Sequence, residues 1–436
     1  MPEHPEEQPR DRTAVELFAG GGGLAMAVGR AGFRPLLFNE FAARACETLE
    51  ANGAKERGVE EWVPEPGGPW PLVPGDVRKL DMRYLSGKVD VLAGGPPCQP
   101  FSLGGIAKGD EDKRNMFPEM FRAVREIQPK AVICENVVGL RRKSFEPYFQ
   151  YILNELSYPY LERNPDSTWQ EHDRLLREHD NALRGTTDPS GGHEVYDVVP
   201  TNVNAADYGV PQTRSRVIIV AFRRDIGVDL AEFKRSLKPT HSQAALIHSM
   251  REGGYWDRHS VPDHVRDRVM KGLPKQIPLA PEEGVLPWLT FRDALAGLNG
   301  EPALPPVPWD HLDRQERHLG GVSNHIGWPG ARIYKGHTPN ELDRPAKTVK
   351  AGVHGVPGGE SVMLTDDLDP NSPGAYRHRY MTVRETARVM TFPDSWVLEG
   401  PRGEQMRQLG NAVPVRLGEF FAKAVANALD NAEGVR

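Results

Sequence analysis

Cysteine is nearly absent from this chain, with three residues in 436. So few rule out a disulfide framework. No Cys-x-x-Cys pair occurs, which excludes the zinc arrangement of a nucleobase deaminase. No Gly-Lys-Ser/Thr is present, so a P-loop is excluded. No apolar run approaches the ~20 residues of a membrane span. Met1 to Arg12 is charged, contains proline and lacks the apolar centre of a signal peptide, so 1–12 is expected to be a disordered tail. Few cysteines and no export signal predict a reducing cytoplasm. Internal repeats are absent.

What is present fits a folded protein with room for one large domain and a smaller one. Apolar residues make up 39% and aromatics 8%. The net charge of −6 argues weakly against nucleic acid over the whole surface, but the charge is uneven. Residues 231–380 hold 19 Lys+Arg against 18 Asp+Glu, or +1, and ten of the 14 histidines. The remainder carries 35 against 42, or −7.

Short apolar strands alternate with helical stretches through residue 222. Thr13–Phe18 reads as a strand, Ala19–Gly23 as a turn and Leu24–Ala31 as a helix. Arg34–Phe38 reads as a strand closed by Asn39-Glu40, and Phe41–Asn52 as a helix. A Pro/Gly-rich excursion spans 58–75. Val89–Ala93 and Ala131–Cys134 read as further strands, with helices over Asn115–Ile127 and Tyr148–Leu156. Val195–Val203 and Val217–Phe222 are strands flanking a Tyr-Gly-Val-Pro turn. The pattern predicts an α/β fold, a parallel-based sheet with helices on both faces. The polar stretch 162–193 reads as a surface insertion, helical around Gln170–His179. From 225 to 380 no helical period holds for long, which predicts a separate, irregular, loop-rich domain with strands at Ala346–Val349 and Ser361–Leu364. Regular pattern returns with helices over Val383–Met390 and Pro414–Ala428.

Chemistry gathers at the predicted strand ends. Phe18-Ala19-Gly20-Gly21-Gly22-Gly23 lets a ligand approach backbone closely, or simply makes a tight turn. Glu40 closes the next strand, where a carboxylate suits two ribose hydroxyls. Asp76 follows the third, where it suits an adenine amino group. Gly94-Gly95-Pro96-Pro97-Cys98-Gln99-Pro100-Phe101-Ser102 mounts one thiol on a stiff turn after an apolar strand. Cys98 is a candidate nucleophile, or a small buried residue at a strand end. Glu135-Asn136-Val137 follows one strand–helix–strand unit later, fitting an acid beside that thiol, an N-cap or an ion pair. Gln212-Thr213-Arg214-Ser215-Arg216 puts two arginines on one strand face, suited to a pyrimidine carbonyl or a phosphate, or to a surface edge.

Six blocks in this order resemble the DNA (cytosine-5) methyltransferases: Glu16–Gly23, Gly94–Ser102, Glu135–Val137, Gln212–Arg216, Arg384–Asp394 and Gly410–Pro414. Glu16 stands where the family commonly has Asp. The resemblance implies an S-adenosylmethionine-dependent, Rossmann-like catalytic domain over 13–224, closed by 381–436, with target recognition in 225–380. It implies methyl transfer to C5 of a cytosine flipped out of double-stranded DNA, through a covalent adduct of Cys98 with C6. Glu135 would contact N3 and the exocyclic amine, while Arg214 and Arg216 hold the ring and the active-site geometry. Phe18, Gly20, Gly22, Gly23, Glu40, Asp76, Val77, Pro96, Asn411 and Val413 would bind S-adenosylmethionine, with no metal. Gln99, Ser102, Arg114 and Gln212 would contact DNA, and 104–117 would be a mobile loop closing over it. Within 225–380, His325–Trp328 and the run Asp343–Gly355, notably Arg344, Lys347 and Lys350, are candidates for groove contact. The resemblance further implies a monomeric cytoplasmic bacterial enzyme, nucleoid-associated when bound to DNA, serving restriction-modification or phage defence. Alternatives are a tRNA cytosine-5 methyltransferase and a catalytically silent DNA-binding relative. The RNA branch carries a Cys-Phe-Thr signature ahead of the last blocks, and no cysteine follows Cys134 here.

Overall fold

The computed structural model describes residues 11–58, 63–97, 115–183, 195–276, 283–298, 300–312, 318–351 and 361–434. Its centre is an eight-stranded sheet of β1 (Arg12–Leu17), β2 (Phe33–Glu40), β3 (Ala54–Glu56), β4 (Trp70–Pro74), β5 (Val91–Gly94), β6 (Ala131–Val137), β7 (Tyr196–Asn204) and β8 (Ser215–Arg223). Their order is β3-β4-β2-β1-β5-β6-β8-β7. The first six are parallel; β8 runs antiparallel to both β6 and β7. The expected parallel-based α/β sheet is present, with an antiparallel edge.

Helices cover both faces. In chain order they are α1 (Gly23–Arg30), α2 (Ala43–Ala51), α3 (Phe117–Ile127), α4 (Glu146–Ser157), α5 (Trp169–Leu183), α6 (Leu230–Ser236), α7 (Gln243–Glu252), α8 (Gly254–Arg258), α9 (Asp263–Lys271), α10 (Phe291–Ala296), α11 (Val383–Val389), α12 (Arg402–Asn411) and α13 (Val415–Ala432). Every residue of β1 is buried, because a parallel strand with helices on both sides has no wet face. One apolar cluster packs α3, α4 and α5 on one face. A second packs α1, α6 and α13 on the other. A third surrounds the glycine turn, bringing α2, α11 and α12 together with Leu342, Ala346, Val349 and Met363.

Several expectations move. The first strand starts at Arg12, which is buried against Asp90, so β1 begins inside the expected tail. The 58–75 excursion hides β4, and β3 precedes it; both are short, and proline and glycine mask them. The 162–193 segment holds α5, docked on α4. Asn154 Nδ2 donates to Asp173 Oδ1 at 2.8 Å, and Tyr158 bonds Asp180. Residues 225–380, expected to be irregular and loop-rich with no long helical period, contain five helices among those described. They are short, and α7 and α9 lean on a small apolar cluster with Tyr255 and Trp256, so no long period forms. α6 belongs to the sheet's own core: the rings of Phe233 and Phe222 lie 4.8 Å apart.

Candidate active site

Open parallel sheets bind ligands where the carboxyl ends of neighbouring strands diverge. Here β1 sends its chain left to β2 and β5 lies on its other side, so the crevice falls at the ends of β1 and β5. The glycine turn leaves β1. Phe18 adopts φ 59°, uncommon for a residue with a side chain. A Cβ added at Gly20 would meet nothing closer than 4.0 Å, so this glycine borders open space. Gly22 and Gly23 serve a different need. A Cβ at Gly22 would lie 2.6 Å from the Trp396 ring, and one at Gly23 only 2.4 Å from Val413 O. Trp396 Nε1 also donates to Gly21 O at 3.1 Å. The turn is thus a sandwich, with a free side at Gly20 and a packed side against the C-terminal segment.

Glu40 ends β2 and braces this turn. Its Oε2 accepts from Gly20 N at 2.7 Å and its Oε1 from Ala42 N at 2.6 Å. Phe41, the next residue, is 77% exposed. Sequence reasoning passed over it; the signal was an aromatic directly after a strand-end acid. Asp76 caps the short turn Val77–Lys79 and is gripped by Arg78, whose hydrogen bonds pull its pKa down to about 2. Val77 is buried beneath, its carbonyl accepting from Arg122 Nη2 at 2.7 Å. Under the turn, Glu16 is buried, with Oε2 unpartnered among the described residues. Burial pushes its carboxyl well above the usual range, and Glu40's charge adds to this.

On β5 and β6, Gly94 pairs with Cys134, which aligns the next residues of both strands. A Cβ at Gly95 would lie 3.6 Å from Glu135 Oε2. Pro96 is buried, its carbonyl held by Asn136 Nδ2 at 3.1 Å. β6 continues through Val137, so Glu135 and Asn136 lie inside the strand rather than beyond it. Cys98, Gln99, Ser102, Arg114 and most of the expected loop lie outside the described residues. Around them, Met116 N donates to Pro97 O at 3.3 Å, so the flanks of 98–114 meet. The buried Glu135 thus sits beside Gly95, three residues before Cys98.

The arginine pair divides. Arg216 Nε stands 2.7 Å from Glu135 Oε1, but its N–H is not aimed at that oxygen, leaving Oε1 without a directed donor among the described residues. Arg214 turns away and is fully buried. Its Nη1 donates to Val349 O at 2.8 Å, and its Nη2 to Gly410 O at 2.8 Å and Ala412 O at 3.0 Å. Burial, reinforced by Arg216's charge, pushes its pKa down to about 9. Gln212, expected on DNA, is also fully buried; its Oε1 accepts from Val349 N at 3.2 Å. Asn411 is exposed at the end of α12, and Val413 is buried against Gly23.

Of the groove candidates, Arg344 is exposed beside Glu341, and Lys350 is exposed. The Lys347 ammonium bonds Thr338. His325 is buried, with Nδ1 2.9 Å from Thr382 Oγ1 and Nε2 2.8 Å from Pro305 O, so both ring nitrogens are already engaged. Among the described residues no group of three His, Cys, Asp or Glu could hold a metal ion, and no helix is long and apolar enough to cross a membrane.

A crevice with an acid-braced glycine turn after β1, and with Gly95 and Pro96 after β5 beside the buried Glu135 and Asn136 of β6, suits a group-transfer enzyme acting at the carboxyl ends of a parallel sheet. The chain belongs to the C-5 cytosine-specific DNA methylase family, whose model matches residues 13–158, 188–300 and 304–427. It is a DNA cytosine-5 methyltransferase. It is 32% identical to the Type II methyltransferase M.Eco47II of Escherichia coli over 96% of this chain and 79% of that one. It is 30% identical to the Type II methyltransferase M.PspPI of Psychrobacter sp., over 98% and 82%. Among solved structures, a putative DNA modification methyltransferase of an E. coli prophage superposes with TM-score 0.53 at 19% identity, covering 96% of this chain and 100% of that one. The Dnmt2 methyltransferase of S. pombe superposes with TM-score 0.52 at 17% identity, covering 97% and 100%. These two likenesses concern the fold.

Proposed function

We propose that this chain methylates C5 of a cytosine within a specific double-stranded DNA sequence, with S-adenosylmethionine as donor and Cys98 as nucleophile. The observation that carries this reading is the buried Glu135 beside Gly95, three residues in sequence before Cys98. C5 of cytosine is a poor nucleophile until C6 is attacked. Cys98 as thiolate would form a bond to C6, while Glu135 holds N3 and the exocyclic amine and stabilises the ring as charge develops. C5, made electron-rich by that bond, would take the methyl group of S-adenosylmethionine, leaving S-adenosylhomocysteine; a base would then remove the C5 proton as the Cys98–C6 bond breaks, restoring the ring and the thiolate. Arg216 would neutralise the ring oxygen from its place beside Glu135. The base must leave the stack, at a cost of a few kcal/mol.

S-adenosylmethionine supplies an electrophilic methyl group. The residues present suit it: Glu40 for the ribose hydroxyls, Asp76 and Val77 for the adenine edge, Phe41 and Phe18 as apolar walls, and the open side of Gly20 for close backbone approach. Gly22, Gly23 and Val413 would shape the pocket from behind, with Pro96 and Asn411 at its rim. Residues 225–380 would form the recognition region, with Arg344 and Lys350 toward DNA; Lys347 would have to leave Thr338 to join them. A role beside a restriction partner accords with the Type II names of the relatives, and we take the chain to act as a cytoplasmic monomer.

The test is a duplex carrying 5-fluorocytosine at the target, found first by bisulfite sequencing of DNA from cells expressing the chain. Fluorine cannot be lost from C5, so wild type should remain bound to DNA on a denaturing gel and Cys98→Ser should not. Trapping that survives in Cys98→Ser, or that moves with Cys46 or Cys134, overturns the assignment.

A further inference from the structure

The segment Asn340–Ala351 is held by four parts of the molecule. Asn340 N donates to Val362 O at 2.7 Å, joining the hairpin of Val362–Leu368 and Tyr376–Tyr380. Phe291 N and Arg292 N donate to Arg344 O and Leu342 O at 2.8 and 2.7 Å, joining α10. Ala346 N donates to Pro211 O at 2.9 Å and Thr213 N to Ala346 O at 2.8 Å, laying the segment against the turn before β8. Its far end meets the C-terminal segment: a Cβ at Gly410 would lie 2.3 Å from Ala351 N. Arg214 bridges these last two contacts, with one guanidinium nitrogen on Val349 O and the other on Gly410 O and Ala412 O. One residue beyond Ala412, Val413 O presses on Gly23 of the glycine turn.

We infer that Arg214 is a positioning residue that couples the glycine turn to the recognition region, so that filling the nucleoside site stiffens the segment Asn340–Ala351. This rests on the S-adenosylmethionine reading of the glycine turn. The physical case is the planar fork of the guanidinium. It reaches carbonyls on two segments at once, which a point-charged ammonium does not. Nε already lacks a partner among the described residues, so Nη1 and Nη2 carry the whole fork, and a carbonyl that moved away would leave a second buried donor without one. The two segments therefore shift together or not at all. A ligand that fixes the glycine turn fixes Val413, then Gly410, then Val349.

Hydrogen–deuterium exchange with S-adenosylhomocysteine as probe tests this without DNA or turnover. Adding it to wild type should slow exchange over 17–24, 396–413 and 340–351. At 340–351 the slowing should be about fivefold or more, the low end of usual coupling between sites. In Arg214→Lys the slowing should remain at 17–24 and 396–413 and vanish at 340–351. Gly410→Ala, which wedges Ala351 away while keeping the arginine, should lose it as well, and serves if the lysine variant does not fold by thermal melting. No slowing at 17–24 in wild type refutes the nucleoside site, and the inference falls with it. Slowing at 17–24 without slowing at 340–351, or slowing at 340–351 that survives in a folded variant, overturns the coupling alone.

Discussion

Between Arg12 and Arg223 the chain is held by apolar faces: strands buried on both sides and helices pressed on them in two continuous clusters. Between His241 and Tyr380 the local apolar cluster is small, and buried charges take over. Arg292 grips Asp343 and Asp366 with paired hydrogen bonds of 2.6 to 2.9 Å. Tyr255 OH donates to Asp343 at 2.9 Å, and His259 bonds Asp293 at 2.8 Å. Arg379 pairs with Glu385 at the boundary. Apolar packing leaves a period in the sequence; ion networks among distant residues leave none. That is why the first region reads from its residues and the second does not.

The sharpest way to break this comparison is Asp343→Ala. It strips a buried partner from Arg292 and Tyr255 and should cost about 3–5 kcal/mol, read by denaturant unfolding. A cost below about 1 kcal/mol would mean the recognition region is held by something other than its charges.

Acid probes the seam between the regions at His241. Burial, aided by Arg416, pushes its pKa down from 6.5 to about 4. The unfolded chain therefore takes up the proton first. The contribution of the neutral ring is intact above pH 6.5 and lost as pH falls toward 4, by at most about 1.4 kcal/mol per unit. Unfolding measured from pH 7 to 4 should show this slope, and His241→Gln should flatten it. An unchanged slope would remove His241 from the seam.

On the sheet side, Glu40→Ala should spare the fold and strike binding. Losing charge-assisted bonds to Gly20 N and Ala42 N, with those to the ribose, should weaken S-adenosylmethionine by roughly 10–100-fold in calorimetry. Unchanged affinity would take Glu40 out of the pocket. The smallest effect belongs to Arg78→Ala. It frees the half-buried Asp76 from an exposed arginine, and affinity should change less than about threefold, since ion pairs open to solvent contribute little. A larger change would make Arg78 part of the nucleoside site.

Within the first region, several candidate site positions were legible as predicted strand ends. The glycine run, Glu40 and the Gly94–Pro97 stretch each follow an apolar run, and parallel strands place such ends along one edge; Asp76 follows the proline-broken β4 instead. β3 and β4 were not legible, because strands so short and so broken by proline carry no alternation. Helix α12 was missed for its low apolar content, although its Gln408 and the nearby Trp396 cradle the glycine turn.

By itself the sequence determined most of the alternation of strands and helices to residue 222, though not β3 or β4, and, through six ordered blocks, the family. These follow from local apolar pattern, turn residues and the handedness of strand–helix–strand units, all set within some tens of residues. Only the tertiary structure decided which way each side chain points. It turned Gly22 and Gly23 to the core and left Gly20 to the crevice. It set Arg216 beside Glu135 and buried Gln212, Arg214 and His325. Arg214 finds its partners 135 to 198 residues away, at Val349, Gly410 and Ala412. Whether an arginine faces a substrate or a carbonyl depends on which distant backbone reaches it first, because a buried guanidinium is stable only where oxygen atoms already wait for it.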